Sequence, residues 1–246
     1  MVEDGKKIGL EVVDYEVGAD GYRDVASYDK RYTGAPNEYR QKVMETAYRG
    51  LITTLKGKRF LDVGCGSGRG IVSLSPETNF AVGCDASGDM LTVTARKLKG
   101  KGGWGLTRAF AQQLPFASNS FDVVITLNFL HLFSLETQRE MIQEMKRVTK
   151  PGGTLILEFD NALHGLGAVG LFKRFFRDER GTLPWEARHV LGDKCRVVKV
   201  RSAVIPILWR LFYRAPAVFL PFERISYFPL LNRVLGHRIY YQLEKQ

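Results

Sequence analysis

The run Leu61-Asp-Val-Gly-Cys-Gly-Ser-Gly-Arg-Gly sets a carboxylate beside closely spaced glycines, directly after an apolar, strand-like segment and before a helix. Small residues at such a turn let main chain approach a bound ligand, because no Cβ stands between them. Asp62, Gly64, Gly66 and Gly68 form the core of the motif, with Cys65 between the first two glycines. Taken alone, the loop could serve a dinucleotide or merely close a tight strand–helix turn. Seventeen residues after Gly68, Asp85 ends the next apolar segment. A carboxylate there can accept both hydroxyls of a ribose at the carboxyl edge of a parallel sheet, which points to a nucleoside and leaves the reaction open. The glycine spacing is not the G-x-G-x-x-G of pyrophosphate binders, and Asp62 inside the motif suits a cationic group such as an amino-acid ammonium better than a diphosphate.

A third group stands further along, at Asn128-Phe-Leu-His131, after another apolar strand. Imidazole, with an unperturbed pKa near 6.5, is suited to deprotonating a hydroxyl or phenol. His131 therefore reads either as a general base or as a structural histidine packed at a strand end. His164, His189 and His237 share no ligand spacing with each other or with Cys or carboxylates, and no metal is expected.

With these pieces in place, the sequence resembles class I S-adenosylmethionine (SAM)-dependent methyltransferases, particularly the small-molecule group related to quinone-biosynthesis enzymes. The matching segments are Leu61–Gly70, Gly83-Cys-Asp-Ala-Ser-Gly-Asp-Met-Leu, Gln113-Leu-Pro-Phe with Ser120-Phe-Asp-Val-Val, and Glu144-Met-Lys-Arg-Val-Thr-Lys-Pro-Gly-Gly. The resemblance spans about residues 25–160 and, loosely, the final strand. It implies that Asp62 and the loop Gly64, Cys65, Gly66 and Gly68 hold the methionine part of SAM. Asp85 would hold the ribose, Ala86 and Met90 would flank the adenine, and Ala111 and Gln112 would lie along its edge. The methyl group and acceptor would sit near Asn128 and His131. Tyr28, Tyr32 and Arg40 fall in a segment that caps the cofactor in similar enzymes, where Arg40 would reach the SAM carboxylate; a solvated helix face is the other reading of Arg40. One position departs from the pattern. Where such enzymes often carry an Asp able to contact the adenine amino group, this chain has Phe110, which reads as a core residue ending a strand.

Methyl transfer is an in-line displacement at a sulfonium carbon, so alignment of nucleophile and methyl supplies much of the rate. A base is needed only where the nucleophile holds a proton of high pKa. His131 for that reason tilts the expectation toward O-methylation.

The elements that must position these groups follow from the apolar pattern. Strands are expected at 59–64, 80–85, 104–110, 121–126 and 154–159, with helices at 37–55, 68–75, 88–98 and 136–149. That repeated alternation, with the resemblance, implies an α/β, Rossmann-like fold: a mainly parallel seven-stranded sheet with helices on both faces, an antiparallel last strand and helical cap additions. Beyond 160 the spacing predicts a Gly-rich stretch at 164–170, helices near 171–177 and 184–191, a strand at 195–200, an aromatic, Pro-punctuated stretch at 204–235, and a last strand at 237–243. Residues 1–34 read as an irregular arm. The expectation is a single domain over 1–246, with an arm or lid at 1–55, a SAM-binding core at 56–160, and acceptor-side additions at 161–246.

The 246 residues carry a net charge of +10, of which +1 falls in 1–160 and +9 beyond. A basic tail of this kind faces phosphates, anionic lipid or an acidic substrate, or is a solvated face. The stretch 203–222 mixes aromatics, aliphatics and arginines with no acid, and reads as a peripheral membrane contact, a greasy pocket wall, or a helical cap. Three unpaired-looking cysteines, no apolar leader at the first residues and no uninterrupted run of about 20 apolar residues point to a cytoplasmic protein, with the inner membrane surface as a place of contact. The expected partner is a small or lipid-linked acceptor. DNA is not expected, an RNA acceptor is less favoured for want of a recognisable RNA-binding module, and a non-catalytic methyltransferase-like binding protein is the third reading.

Overall fold

The computed structural model describes residues 34–163, 181–192, 195–203 and 236–246. Seven strands, β1 (Arg59–Val63), β2 (Phe80–Asp85), β3 (Trp104–Arg108), β4 (Phe121–Thr126), β5 (Thr149–Asp160), β6 (Cys195–Ala203) and β7 (Arg238–Lys245), form one sheet in the order β3-β2-β1-β4-β5-β7-β6. The first five are parallel to one another, while β7 runs antiparallel between β5 and β6. The reversal has a direct result for the site. An antiparallel strand begins where its parallel neighbours end, so Arg238, the first residue of β7, pairs with Asp160, the last of β5.

Among the described residues five α-helices cover the two faces: α1 (Ala35–Arg49), α2 (Arg69–Leu74), α3 (Gly88–Leu98), α4 (Leu135–Val148) and α5 (Pro184–Leu191). Successive side chains of a strand point to opposite faces, and the strands here are apolar on both. Phe60, Ile125 and Ile156 pack on one side with Val43, Ala47, Ile71, Leu74 and Leu98 of α1, α2 and α3. Leu61, Val63, Val124, Leu155 and Leu157 pack on the other with Met141, Ile142 and Met145 of α4 and Val190 and Leu191 of α5. The seven-stranded, mainly parallel Rossmann-like arrangement agrees with the expected fold class.

Element boundaries differ from the sequence expectation at several points, and three of them are instructive. The helix expected at 37–55 stops at Arg49, because Gly50 closes it, and Leu51 and Leu55 are buried from non-helical chain. Their apolar spacing reports burial, not helix. Strand β5 begins at Thr149, ahead of the expected start at 154; a register shift between the Phe121 and Val123 pairings absorbs Pro151-Gly-Gly, with Gly152 at φ 70°. The strand expected at 104–110 ends at Arg108, and Phe110, expected in the core, is 49 % exposed.

The arm before Gly34 with Tyr28 and Tyr32, the stretch 164–170 with His164, the helix expected at 171–177 and the segment 204–235 lie outside the described residues. Among the described residues no helix is long and apolar enough to cross a membrane.

Candidate active site

The glycine loop is folded by its own amides and by β2. Gly64 N and Cys65 N both donate to Cys84 O, at 2.8 and 3.0 Å. Gly64 and Gly66 have φ of +67° and +52°, a region that favours glycine. A Cβ on Gly64 would fall inside the Phe129 ring, whereas a Cβ on Gly66 would meet nothing within 4 Å. The loop therefore turns a tightly packed face toward β4 and an open face outward at Gly66. Thr94 Oγ1 donates to Gly66 O at 2.7 Å and Lys97 Nζ to Ser67 O at 3.0 Å, so α3 holds the loop from the far side. Thr94 carries no motif signal and sequence reasoning missed it.

Asp85 stands at the rim of that open face. Its Oδ2 accepts from Gly66 N at 2.8 Å and its Oδ1 from Ser87 N at 2.9 Å. Burial raises its pKa, against the lowering effect of the Ser87, Gly66 and Ala86 amides. Asp62 is buried behind the loop, 2 % exposed, and its Oδ2 accepts from Ile71 N in α2 at 2.8 Å. Burial pushes its pKa up to about 7, partly offset by the Ile71 amide and reinforced by the negative charge of Asp85. Two carboxylates close enough to feel one another thus line one end of the sheet, a setting that favours a cation.

The adenine-side candidates lie beyond Asp85. Ser87 caps α3 by accepting from Met90 N at 3.3 Å, which places the buried Met90 near the loop; Ala111 is buried as well. Ala109 N donates to Asp85 O at 3.1 Å, and Arg108 Nε to Ala86 O at 2.8 Å, tying this stretch to the end of β2. Gln112 Oε1 is buried and accepts no hydrogen bond among the described residues. The half-exposed Phe110 ring belongs to the same stretch. An open glycine face with a carboxylate at its rim, two apolar side chains and an exposed aromatic ring fits a nucleoside carrying a cationic tail.

Asn128 and His131 come together at the other side of the loop, in a polar cluster whose remaining members sequence reasoning missed. Asn128, at φ 52°, accepts from Arg238 Nη2 at 3.0 Å through Oδ1. His131 Nδ1 lies 3.4 Å from Arg238 Nη1 and 3.7 Å from Asp160 Oδ1. Arg238 is 6 % exposed, ion-paired with Asp160 and 3.4 Å from Glu158 Oε1, itself 1 % exposed. Burial, then the positive charges of Arg238, His237 and Arg40, push the His131 pKa down to about 3, so the ring is neutral at neutral pH. Arg40 of α1 is thus one of the cations whose charge is felt at His131.

Residues 61–157 match a family described as a methyltransferase domain. That similarity covers 97 of the 246 residues, from β1 into β5. Among named relatives, it is 44 % identical over 110 residues to a demethylmenaquinone methyltransferase of Geobacillus kaustophilus, covering 42 % of this chain and 46 % of that one. It is 34 % identical over 102 residues to a tRNA (carboxymethyluridine(34)-5-O)-methyltransferase of Arabidopsis thaliana, covering 41 % and 24 %. The matches to the demethylmenaquinone methyltransferases span about half the length of those relatives. A SAM-dependent methyltransferase of Thermotoga maritima, described as a possible histamine N-methyltransferase, superposes with a TM-score of 0.63 over 94 % of this chain and 98 % of that one; at 16 % identity the likeness is one of fold.

Proposed function

We propose that the protein is a SAM-dependent methyltransferase whose cofactor core is residues 56–160, acting on a small or lipid-like acceptor, with transfer to oxygen favoured. The observation that carries this reading is the placement, at one sheet edge, of the open face of Gly66 with Asp85 at its rim and of the polar cluster around His131. When bound, SAM supplies a methyl group on a sulfonium, activated for displacement.

The chain's own groups have distinct tasks in this scheme. Asp85 accepts the ribose hydroxyls. Ala86, Met90, Ala111, Gln112 and the Phe110 ring frame the adenine. The loop Gly64, Cys65, Gly66 and Gly68 carries the methionine part, while Asp62 supplies the negative field that an ammonium and a sulfonium seek. Asn128 and His131 border the methyl group and acceptor, with Tyr28, Tyr32 and Arg40 as the lid. The demethylmenaquinone methyltransferase relatives support a small, lipid-like acceptor, and a cytoplasmic protein touching the inner membrane surface through 203–222 suits one.

An RNA acceptor is the second reading, favoured by the net charge of +10 and by the tRNA methyltransferase relative. Salt-sensitive RNA binding would select it. The first reading is tested by calorimetric titration with SAM and S-adenosylhomocysteine, followed by transfer of labelled methyl to candidate acceptors. Micromolar cofactor binding is expected, and no binding by the intact protein would sink the enzyme reading.

A further inference from the structure

We infer that Arg238 is a positioning residue that holds His131 with its ring proton on Nε2, so that His131 meets the acceptor as a hydrogen-bond donor to an oxyanion and not as a base. The inference rests on the proposed reading of the β4–β5–β7 edge as the acceptor side.

The argument starts from hydrogen-bond valence. A guanidinium has only donors, and a neutral imidazole has one donor and one acceptor nitrogen. With Arg238 Nη1 at 3.4 Å, Nδ1 must be the acceptor, and the proton then resides on Nε2. The competing partner of Nδ1 is Asp160 Oδ1, but at 3.7 Å it is beyond hydrogen-bond reach, and that carboxylate is already paired with Arg238. Arg238 cannot swing away cheaply, since Asn128 Oδ1 takes its Nη2 at 3.0 Å and Glu158 flanks Nη1. The charged groups that bear on the ring are Arg238 and His237 at the start of β7, Arg40 of α1, and Asp160 with Glu158 of β5. The cations disfavour a second ring proton, in keeping with the lowered pKa of His131.

An Nε2–H group is a donor, and the oxygen it suits best is one with spare charge, as in a phenolate or enolate. The acceptor hydroxyl then gives its proton to water on ionising before it binds. One oxygen lone pair takes the His131 hydrogen bond. Another forms the O–CH3 bond while the C–S pair returns to sulfur, and no proton passes to His131. The substrate class this selects is a phenol or enol acidic enough to bind ionised, not an alkyl alcohol.

Two-bond 15N–1H correlation spectra of 15N-histidine-labelled protein, with His131 identified through His131→Asn, test this without cofactor or acceptor. The expected pattern is a bare Nδ1 and a protonated Nε2, unchanged from pH 7.5 to pH 5. In Arg238→Met the titration moves up by at least one pH unit and the tautomer preference loosens, while Arg238→Lys, which keeps a cationic donor, preserves it. A protonated Nδ1 in the unaltered protein overturns the inference, even if Arg238→Met fails to fold, and so does an Arg238→Met spectrum identical to the parent. Absence of SAM binding with the expected tautomer would sink the proposed function and leave the positioning of His131 standing.

Discussion

Asp85 Oδ2 holds the amide of Gly66 at 2.8 Å, so the last residue of β2 fastens the loop that follows β1. The same carboxylate reaches Ser87 N, at the cap of α3, through its other oxygen. The proposed ribose-binding group is therefore also what shapes the open face on which the nucleoside would lie, and it retains lone pairs for a ligand's hydroxyls.

Replacing Asp85 with Ala removes both effects. Hydrogen bonds to a charged group contribute about 1.5–3 kcal/mol each, so SAM affinity should fall by roughly tenfold to 100-fold or more. Calorimetric titration of the folded variant checks this, and an affinity within threefold of the parent would mean that the nucleoside binds elsewhere.

Gly66 and Gly68 should part company on substitution with Ala. Both have positive φ, which costs an L-residue roughly 1–2 kcal/mol. A Cβ on Gly68 would in addition stand 2.7 Å from the Thr94 side chain, whereas one on Gly66 would meet no protein atom and would project into the proposed cofactor space. Gly68→Ala should thus lower the melting temperature more than Gly66→Ala, and Gly66→Ala should weaken SAM binding out of proportion to its stability loss. Equal losses of stability with unaltered binding in Gly66→Ala would show that its open face is not the site.

The part of this site that could be read along the chain is the part built locally. β1, β2 and β4 are near-continuous apolar runs with Gly64, Asp85 and Asn128 at or just beyond their ends, where parallel sheets place their ligands, so Asp62, Gly66, Asp85 and His131 were visible as candidates one at a time. Arg238 was not. It is 107 residues from His131, and only the reversed course of β7 between β5 and β6 brings it to the edge where β4 and β5 finish. The one local hint was a charged residue directly before the short apolar run Ile239-Tyr-Tyr. Phe110 misled for the opposite reason: an aromatic residue after a strand satisfies a core pattern equally well whether the strand ends before it or after it.

The exposed Phe110 ring yields a separate test. Because half of it is open to solvent, Phe110→Ala should change stability little. If the ring stacks on the adenine, the lost aromatic contact of about 0.5–1.5 kcal/mol should weaken SAM roughly three- to tenfold. Titration with SAM and thermal melts separate the two. A variant that melts much lower with unchanged affinity would return Phe110 to a packing role.

Asp62 should make both stability and cofactor affinity depend on pH, in opposite senses. Its pKa rises from 3.8 in the unfolded chain to about 7 in the folded one, so the folded protein binds more protons between these values. Its contribution is therefore fully present below pH 3.8 and is lost as pH rises through about 7, an effect on the order of 4 kcal/mol for a fully buried group. Asp62→Asn removes the dependence, so the variant should gain on the parent steadily between pH 4 and 7.5 in melting temperature. SAM, with its ammonium and sulfonium near the loop, favours the ionised carboxylate, so affinity in the parent should increase from pH 5.5 to 7, with proton release visible as a buffer-dependent binding enthalpy. Asp62→Asn should bind more weakly and show no such slope. A parent protein whose affinity is flat over that interval would place the cationic end of the ligand away from Asp62, whatever the loop does for the rest of the molecule.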